Sequence, residues 1–421
     1  MKVLVIGGGG REHAIIKSIK KNPNVERIYA LPGNGGISRD AECFPIKATD
    51  ADSIISWAKE YQPDYAVVAP DDPLVLGMVD VLEKIGIPCF GPNADAAIIE
   101  GSKVFSKELM KKYGIPTAAY ETFDDMDAAL KYLENAPIPT VIKADGLALG
   151  KGVVIAETLE DAKRAVREMM AEKKFGASGE HIVIEEFLKG PEVSVLSFTD
   201  GKVVVPMISS MDHKRAGDGD TGLNTGGMGT IAPNPYYTKE IADRCMKEIF
   251  VPTIEAMKKE GRTFKGCLYF GLMITDDGPK VIEYNCRFGD PETQVVLPLL
   301  RTDLLTIFQA VTNERLSEIN IEWEKAFACC VIVASSGYPL KYEKGYEIKI
   351  PDNVWPHTFI AGAKKENGKL LTDGGRVLGV TAVAEQLQEA IQMSYSFVDE
   401  IDFANKYYRK DIGHRALEAV E

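Results

Sequence analysis

The sequence predicts a multidomain protein that combines α/β and α+β architecture, and three observations lead to that prediction. The chain has 421 residues, which at about 150 residues per domain indicates roughly three domains. Its first 92 residues alternate short apolar runs with longer amphipathic runs, a pattern typical of a doubly wound parallel sheet. Further along, pairs of apolar runs are separated by Asp-Gly or Asp-Asp-Gly turns, which predict antiparallel hairpins.

Composition and charge narrow the classes of function. Hydrophobic residues make up 45% of the chain and charged residues 26%, so a packed core is expected. The 49 lysines and arginines stand against 62 acidic residues, a net charge of -13, which opposes nucleic-acid or anionic-membrane binding as the main activity. The seven cysteines include no C-x-x-C pair, so neither a disulfide framework nor a zinc ribbon is supported. The N-terminus shows no targeting pattern, and we expect a cytoplasmic protein.

The N-terminal elements alternate between strands and helices. Strands are expected at KVLVIG, RIYAL, YAVVAP and PCFGP, with helices from Arg11, after Thr49 and through Met78 between them. Parallel strands need crossover connections of this kind, so the helices should cover the sheet. A strongly helical run then ends at Gly114, and we expect a domain boundary near Ser102.

The later parts of the chain show mixed patterns. Residues 121–192 contain the strands VIKA, VVIAE and HIVIEEFL and a helix opened by Thr158 and Asp161, which predicts a compact α+β insert. Two hairpins are expected, VSVLSF with KVVVPM and CLYFGLMIT with PKVIEYN. Between them we expect a long glycine-rich loop over 216–230 and a helix near 238–260. From Ala328 a small C-terminal domain of short strands with a terminal helix is expected.

The first candidate site is the glycine cluster Gly7 to Gly10, which follows a strand and opens a helix. Backbone N–H groups at such a helix start suit a phosphate or another anion. The cluster does not match the dinucleotide-binding pattern G-x-G-x-x-G, because Glu12 occupies the position of the third glycine. In addition, no acidic residue ends the second strand. The cluster therefore predicts an anion site, with a purely structural tight turn as the alternative.

The second candidate is the loop from Lys143 to Gly152, KADGLALGKG. Its glycine spacing differs from that of a Walker A loop, and Lys151 is followed by glycine instead of serine or threonine. The loop lies between two strands, so we expect a flexible hairpin loop that closes over a polyphosphate. Lys143 and Lys151 would supply point charges to phosphate oxygens. An exposed hairpin without a ligand is the alternative.

The third candidate is Glu185-Glu186-Phe187-Leu188, with Glu192 four residues beyond. A strand that ends in this way can offer backbone groups to a flat purine while the apolar side chains pack on its faces. The later carboxylate could accept hydrogen bonds from ribose hydroxyls. An edge strand followed by a turn is the alternative.

The fourth candidate is the segment EYNCRFGDPE, residues 283–292. Side chains alternate along a strand, so Glu283 and Asn285 point to the same face. A carboxylate beside an amide carbonyl suits Mg²⁺, which nucleotide phosphates and water commonly complete. Arg287 then presents a guanidinium group suited to a carboxylate or a phosphate. The alternative is a surface ion cluster.

The fifth candidate is DHKR (212–215), which leads into NTGGMG (224–229). The glycines allow backbone amides to approach an anion closely. His213 by itself would more often be structural. The lysine, arginine and glycine residues around it favour a substrate loop.

In their order along the chain, these elements resemble the ATP-grasp superfamily. Within that superfamily the chain resembles the phosphoribosylamine-glycine ligase family, also called the glycinamide ribonucleotide synthetases. The resemblance covers essentially the whole chain. It rests on the motifs GGREHA (9–14), PGN (32–34), EGSK (100–103), KADGLALGKGV (143–153), EEFL (185–188), DHKR (212–215), NTGGMG (224–229), EYNCRFGDPE (283–292), GGRVL (374–378) and KDIGHRA (410–416).

The resemblance implies the second step of de novo purine synthesis, in which ATP, glycine and 5-phosphoribosylamine give ADP, phosphate and glycinamide ribonucleotide. It implies ATP as a substrate, Mg²⁺ or Mn²⁺ as the metal, and small molecules as the partners of a chain that we expect to be a monomer. The implied intermediate is glycyl phosphate, and closure of loop 146–152 should protect it from water.

The resemblance also implies roles for individual residues. The metal ligands are Glu283 and Asn285. The ATP-binding residues are Lys103, Lys143, Gly146, Gly150, Gly152, Glu185, Glu186, Phe187, Leu188 and Glu192. The residues expected to be catalytic are Lys151, which matches a triphosphate contact, and the group that holds glycine and its acyl phosphate: Arg287, Asp212, Gly226 and Gly227. The residues expected to bind the other substrate groups are Gly9, Gly10, Pro32, Gly33, Asn34, Asp71, His213, Lys214 and Asp290.

The implied domains are an N-terminal domain over 1–102, a central ATP-grasp domain over 103–120 and 193–327, a lid over 121–192 and a C-terminal domain over 328–421. Two departures from the family pattern concern the sugar site. Asp71 and Asp72 stand where the usual pattern is close to G-P-E-x-P-L, and Gly8 stands where Asn, Thr or Ser is common. Either departure would change sugar affinity and leave the class of reaction unchanged.

Three other functions are alternatives to this one. Another ATP-grasp carboxylate-amine ligase or carboxylase would use a different acceptor. A nicotinamide-dependent oxidoreductase would use the glycine turn, but it lacks the acidic residue. A catalytically inactive ATP sensor would bind nucleotide without turnover, which the intact lysines and metal pair oppose.

Overall fold

The computed structural model describes residues 1–147, 152–172 and 176–420, and its N-terminal part is a parallel sheet flanked by helices. The elements are β1 (Lys2–Gly7), α1 (Gly10–Ile19), β2 (Arg27–Pro32), β3 (Glu42–Cys43), α2 (Ala51–Tyr61), β4 (Tyr65–Val68), α3 (Asp71–Val75), α4 (Met78–Lys84), β5 (Cys89–Phe90) and α5 (Ala94–Gly101). The parallel sheet has the order β3-β2-β1-β4-β5. Side chains of β1 alternate between two cores, Leu4 and Ile6 in one and Val3 and Val5 in the other. The predicted doubly wound sheet is confirmed.

A long helix and a small antiparallel sheet follow. They comprise α6 (Lys103–Tyr113), β6 (Tyr120–Phe123), α7 (Met126–Leu133), β7 (Thr140–Ala144), β8 (Val153–Ala156), α8 (Leu159–Met170) and β9 (Ile182–Glu186). The sheet, called the lid sheet here, has the order β6-β9-β7-β8 and packs on a core of its own. Thr158 caps α8 by accepting the N–H of Asp161 at 3.1 Å, as predicted. The connection between β7 and β8 includes residues 148–151, outside the described residues.

The central part contains the two predicted hairpins. Its elements are β10 (Glu192–Thr199), β11 (Val204–Pro206), β12 (Met211–Asp212), β13 (Arg215–Gly217), β14 (Thr221–Asn224), β15 (Gly229–Ala232), α9 (Lys239–Cys245), α10 (Val251–Lys259), β16 (Gly266–Thr275), β17 (Gly278–Asn285), α11 (Thr293–Val296) and α12 (Leu304–Thr312). The antiparallel order β11-β10-β16-β17 confirms both hairpins. The helix predicted near 238–260 is α9 and α10, joined by the π-helical turn Met246–Phe250.

The C-terminal part forms an antiparallel sheet covered by a helix. Its elements are β18 (Phe327–Ser335), β19 (Thr358–Ile360), β20 (Ala363–Glu366), β21 (Lys369–Thr372), β22 (Arg376–Ala384), α13 (Leu387–Glu400), β23 (Lys406–Tyr407) and α14 (His414–Glu418). The sheet has the order β12-β15-β18-β22-β19, with β23 paired to β18 and with β20 and β21 forming a separate hairpin.

The stretch predicted as a glycine-rich loop over 216–230 contains strands, so that prediction was wrong in part. The segments β13 and β14 form a small hairpin, and β15 pairs with β18 of the C-terminal sheet. The partner strand lies far along the chain, so local sequence carries no sign of the pairing. As a result, a loop of the central part is anchored in the C-terminal sheet.

Two hydrophobic cores join the N-terminal part of the protein to the central part. Two clusters of buried residues each contain side chains from both the N-terminal sheet and the central sheet, for example Leu4 with Phe270 and Val5 with Tyr269. The lid sheet has a separate cluster. Across the described residues, no helix has the length and apolar character needed to cross a membrane.

Candidate active site

The carboxyl end of β17 carries the predicted metal ligands. Glu283 and Asn285 are two residues apart on the strand, so their side chains share a face. Gly271 lies opposite Glu283, and a Cβ atom there would be 3.0 Å from Glu283 Cγ, so the glycine makes room for the carboxylate. Burial raises the pKa of Glu283, but the charges of three lysines and Arg287 hold it below its usual value. An ionised carboxylate therefore lies beside an amide carbonyl.

These two oxygen donors fit a cation of the magnesium type. Such ions are commonly held by one or two protein oxygens and completed by substrate phosphates and water. In the part of the chain that the structure describes, no group of three or more His, Cys, Asp or Glu residues could hold a metal. Asn285 Oδ1 accepts from Arg287 Nη2 at 3.1 Å, and its second lone pair stays available for a cation. Glu283 and Asn285 would hold the ion.

Arg287 is oriented by Glu100, a residue that sequence reasoning did not select. The Nη2 atom donates to Glu100 Oε1 at 3.0 Å and lies 3.8 Å from Asp71 Oδ2. The other oxygen of Glu100 accepts the N–H of Cys286 at 2.7 Å. Although burial lowers it, these carboxylates raise the pKa of Arg287. Its Nε is buried with no hydrogen-bond partner among the described residues, so this edge of the guanidinium can receive a substrate oxygen.

Two of the three predicted phosphate lysines lie next to the metal pair. Lys143 donates to the carbonyl of Ile282 at 2.9 Å, and Lys103 donates to the carbonyl of Gly146 at 2.7 Å. Both charges act on Glu283, which places the lysines and the carboxylate in one electrostatic neighbourhood. Gly152 borders the hairpin just before β8. The predicted Gly150 and Lys151 lie outside the described residues.

The predicted adenine segment begins where β9 ends. Glu185 is buried between two ammonium groups, with Oε1 3.0 Å from Lys143 Nζ and Oε2 3.2 Å from Lys107 Nζ. Glu186 accepts the N–H of Ala119 at 3.0 Å. Phe187 and Leu188 follow the strand and are half-buried. Because the Glu185 carboxylate faces two lysines, the backbone groups of residues 185–188 are the ones that could bind a purine.

Glu192 and Lys214 were predicted for different substrates, and the structure brings them together. Their charged atoms lie 2.8 Å apart. Burial lowers the pKa of Lys214, but the carboxylates of Glu192 and Glu283 raise it well above its usual value. Lys214 therefore links the predicted ribose residue to the predicted metal ligand.

His213 holds the predicted substrate loop in place. Its Nδ1 donates to the carbonyl of Gly229 at 3.0 Å, and its Nε2 accepts the N–H of Gly413 at 3.1 Å. Burial, with a contribution from the charge of Arg409, lowers the pKa of His213 to about 4. The ring is therefore neutral, and both nitrogens are engaged by backbone groups. This geometry gives His213 a structural role. The charged and glycine-rich sequence around it had favoured a substrate loop instead.

The predicted Gly226 and Gly227 amides have protein partners in this conformation. The N–H of Gly226 donates to the hydroxyl of Tyr338 at 3.2 Å, and that of Gly227 donates to Thr225 Oγ1 at 3.0 Å. Gly227 has φ +112°, and a Cβ atom there would lie 2.6 Å from Asp212 Oδ1. Glycine is required at this position because the loop packs directly on Asp212.

Three arginines surround the turn that follows Arg287. Arg11 and Arg287 both donate to the carbonyl of Phe288, at 3.1 and 3.5 Å. Arg376 donates to the carbonyl of Asp290 at 2.8 Å and to that of Gly226 at 2.7 Å. These residues come from α1, from the segment just after β17 and from β22. Each guanidinium group also lies beside a protein carboxylate: Arg11 beside Glu12, Arg287 beside Glu100 and Arg376 beside Asp290.

Asp212 lies next to a second buried carboxyl group, Glu292. Burial raises the pKa of both groups, and the charge of Glu292 raises that of Asp212 further. Glu292 accepts from the Tyr269 hydroxyl at 3.1 Å, and that hydroxyl is 2.7 Å from Ser194 Oγ. The pair forms a polar wall that favours a bound cationic group.

At the glycine turn, protein carboxylates engage the N–H groups that were predicted for an anion. Gly9 N–H donates to Glu12 Oε2 at 2.5 Å, and Arg11 N–H donates to Asp290 Oδ2 at 3.1 Å. The amide nitrogen of Asn34 donates to the carbonyls of Gly8 and Ile360, at 2.9 and 2.8 Å. Asn34 Oδ1 accepts two backbone N–H groups of its own loop. Pro32 to Asn34 thus lie beside Gly8, with Asn34 shaping the turn.

Sequence reasoning missed five residues that contact the site. Four of them lie inside motifs already quoted: Arg11 in GGREHA, Glu100 in EGSK, Glu292 in the segment after Arg287 and Arg376 in GGRVL. The fifth, Lys107, lies four residues after Lys103 on α6, so the two share a helix face. The four-residue spacing from Lys103 could therefore have indicated that Lys107 lies near the site.

Family comparisons cover most of the chain. Residues 1–100 match the N domain of phosphoribosylglycinamide synthetase, residues 101–293 its ATP-grasp (A) domain and residues 328–415 its C domain. The domain limits given above stay predictions.

Individual relatives agree with the family match. A phosphoribosylamine–glycine ligase of Fusobacterium nucleatum is 47% identical over 98% of both chains. The crystal structure of a phosphoribosylamine–glycine ligase from Thermotoga maritima superposes with a TM-score of 0.87 at 34% identity, covering 98% of this chain and 100% of that one. A biotin carboxylase domain from Hydrogenobacter thermophilus, solved with MgADP and bicarbonate, has a TM-score of 0.75 at 15% identity, covering 100% of this chain and 98% of that one, and shows the shared fold alone. The chain therefore belongs to the phosphoribosylglycinamide synthetase family of ATP-grasp enzymes.

Proposed function

We propose that the chain joins glycine to 5-phosphoribosylamine, with ATP giving ADP and phosphate, to form glycinamide ribonucleotide in the second step of de novo purine synthesis. The observation that carries the proposal is the convergence of one carboxylate-amide pair, two phosphate-binding lysines and three arginines around the end of β17. Full-length identity of 47% to a phosphoribosylamine–glycine ligase supports the choice of substrates.

In the first half-reaction, a carboxylate oxygen of glycine attacks the γ-phosphorus of ATP. The bond from that phosphorus to the bridging oxygen breaks, and ADP leaves glycyl phosphate behind. Lys103 and Lys143 neutralise the phosphate oxygens. A divalent cation, Mg²⁺ or Mn²⁺, held by Glu283 and Asn285 would supply further positive charge when bound.

In the second half-reaction, the amine of phosphoribosylamine attacks the acyl carbon. The bond from that carbon to the phosphate oxygen breaks, the amine loses a proton, and phosphate leaves. The Nε of Arg287, which has no hydrogen-bond partner among the described residues, suits the carboxylate and later the acyl phosphate of glycine. Asp212, paired with Glu292, suits the glycine ammonium group. The predicted closure of loop 146–152, of which residues 148–151 lie outside the described residues, would keep water from the acyl phosphate, which would otherwise hydrolyse.

The remaining predicted residues receive binding and shaping roles. The backbone of 185–188 receives adenine, and Glu192 receives the ribose of ATP, with Lys214 beside it. Arg11 and Arg376 provide positive charge for the phosphate of the sugar, near Asp71 and Asp290. Gly9, Gly10, Gly33, Asn34, Gly226, Gly227 and His213 shape the loops around these groups.

A steady-state assay of ADP release tests the function. ADP release should require both glycine and phosphoribosylamine, and the product should contain the glycyl group. Stimulation by bicarbonate or D-alanine in place of glycine would contradict the proposal, because it would indicate a related ligase or carboxylase with a different acceptor.

We also propose that the enzyme is a cytoplasmic monomer. The seven cysteines, all within the described residues, carry free thiols, which suits a reducing compartment. Size-exclusion chromatography with light scattering at micromolar concentration tests the oligomeric state, and a dimer would contradict it.

A further inference from the structure

A buried group of three charges lies where the lid sheet meets α6. Glu185 at the end of β9 lies between Lys143 of β7 and Lys107 of α6, at 3.0 and 3.2 Å. Lys107 is 2% exposed, and both Glu185 and Lys143 are 4% exposed. Two ammonium groups thus share one carboxylate in a region that water does not reach.

Lys107 is anchored from the central part of the protein. Its Nζ donates to Thr117 Oγ1 at 2.8 Å, and Thr117 Oγ1 donates to the carbonyl of Val281 at 2.7 Å. Val281 lies on β17, two residues before Glu283. Lys107 therefore connects the strand of the metal pair with the strand that ends at the adenine segment.

Each oxygen of Glu185 faces a different lysine. Oε1 is close to Lys143 but has no aligned hydrogen bond, so the two groups interact through charge. Lys143 uses one N–H for the carbonyl of Ile282, which leaves N–H groups for phosphate oxygens. Without Lys107, the Glu185 carboxylate would interact with Lys143 and with no competing Lys107 ammonium group. The ion pair between Glu185 and Lys143 would then be stronger.

We propose that Lys107 is a positioning residue for the nucleotide. It occupies one oxygen of Glu185 and so leaves the ammonium group of Lys143 available to bind the ATP phosphates. Lys107 itself is too deeply buried to contact the nucleotide in this conformation. The inference rests on the proposed use of ATP at this site, and it assigns a function to a residue outside the predicted binding set.

Direct binding of MgADP by isothermal titration calorimetry tests the proposal, together with steady-state KM values for ATP and glycine. Lys107→Met should weaken MgADP binding and raise the KM for ATP at least tenfold, with the KM for glycine within twofold of wild type. The matched control is Lys111→Met, one turn along the same helix, where the side chain is exposed; it should leave all three constants unchanged.

A second variant separates positioning from simple loss of packing. In Lys107→Met/Glu185→Gln the carboxylate charge is also removed, so no carboxylate at this position competes with the ATP phosphates for Lys143, and MgADP affinity should recover at least threefold over Lys107→Met. Unchanged MgADP affinity in Lys107→Met, or no recovery in the double variant, would overturn the proposal. If Lys107→Met does not fold, Lys107→Gln removes the charge and keeps a polar group at this position, and nucleotide affinity equal to that of wild type would overturn the proposal equally.

The binding measurement is independent of the acceptor. If wild type binds MgADP but does not use glycine and phosphoribosylamine, the proposed function fails and the Lys107 inference is still decided by calorimetry.

Discussion

Single residues at this site act through neighbours that are distant in sequence. Glu283 is kept ionised by lysines from α6, β7 and the segment after β12, and Arg287 is oriented by a glutamate at the end of α5. His213 shows the opposite outcome, because burial and two backbone contacts make a histidine in a charged motif a structural residue. Residue type alone does not separate these cases, since burial and partners decide the role.

Removal of the Glu283 carboxylate should abolish most of the activity. Glu283→Ala deletes one of two predicted metal ligands, so we expect kcat to fall by about 100-fold or more with the fold retained. Steady-state kinetics at saturating Mg²⁺ measure the change in kcat, and circular dichroism checks that the fold is retained. Glu255→Ala, on the exposed face of α10, is the control and should keep wild-type kcat. An unchanged kcat in Glu283→Ala would contradict the metal assignment.

Among the elements, the turn between β1 and α1 depends on close backbone contact. A Cβ atom on Gly8 would lie 2.3 Å from the carbonyl oxygen of Gly33, and Gly33 N–H donates to the carbonyl of Gly7 at 3.1 Å. In this chain the absence of a side chain at Gly8 is therefore a packing requirement. The departure from the family pattern is accommodated by the second loop, which lies against the turn.

The side chain that is common in the family should be destabilising at this turn. Gly8→Ser forces the Gly33 peptide to shift, and we expect the free energy of unfolding to fall by about 1–3 kcal/mol. Urea unfolding monitored by tryptophan fluorescence measures the change. Because this contact belongs to the proposed sugar site and not to the proposed ATP site, the KM for ATP should stay within twofold. An unfolding midpoint equal to that of wild type would show that the turn relaxes without cost.

At the scale of the whole molecule, two buried histidines join distant parts of the chain. His13 of α1 accepts the N–H of Ile360 at 2.8 Å, and its Nε2 donates to Asp40 at 3.0 Å. His213 connects the substrate loop to Gly413, just before α14. Burial lowers the pKa of each ring to about 4. Both contacts need a neutral imidazole, so protonation would break them.

Acid should therefore destabilise the protein in a defined range of pH. An unfolded histidine takes up a proton near pH 6.5, whereas these folded histidines do so near pH 4. The stability is fully present above about pH 6.5 and is lost as pH falls toward 4, with a slope of up to about 1.4 kcal/mol per pH unit for each histidine. Urea unfolding between pH 7 and 4.5 measures the slope.

A variant isolates the histidine contribution from that of the carboxylates. His13→Gln should reduce the slope by close to one proton, whatever its effect on stability at pH 7. His414→Gln, at an exposed position of α14, should leave the slope unchanged. An identical slope in His13→Gln and wild type would contradict the assignment.

Local features of the sequence predict the class of the fold and the order of its motifs, whereas contacts between distant segments decide how the candidate site is held. Periodicity and turn residues are local, so the parallel sheet, both hairpins and the cap of α8 could be predicted. The Glu283, Asn285 and Arg287 motif is a contiguous segment, so its same-face geometry follows from the strand period. Pairing of β15 with β18, the Glu100 contact to Arg287, the sharing of Glu185 by two lysines and the burial of His213 join segments far apart in the chain. Such contacts depend on which surfaces meet in the folded molecule, and no local pattern records them.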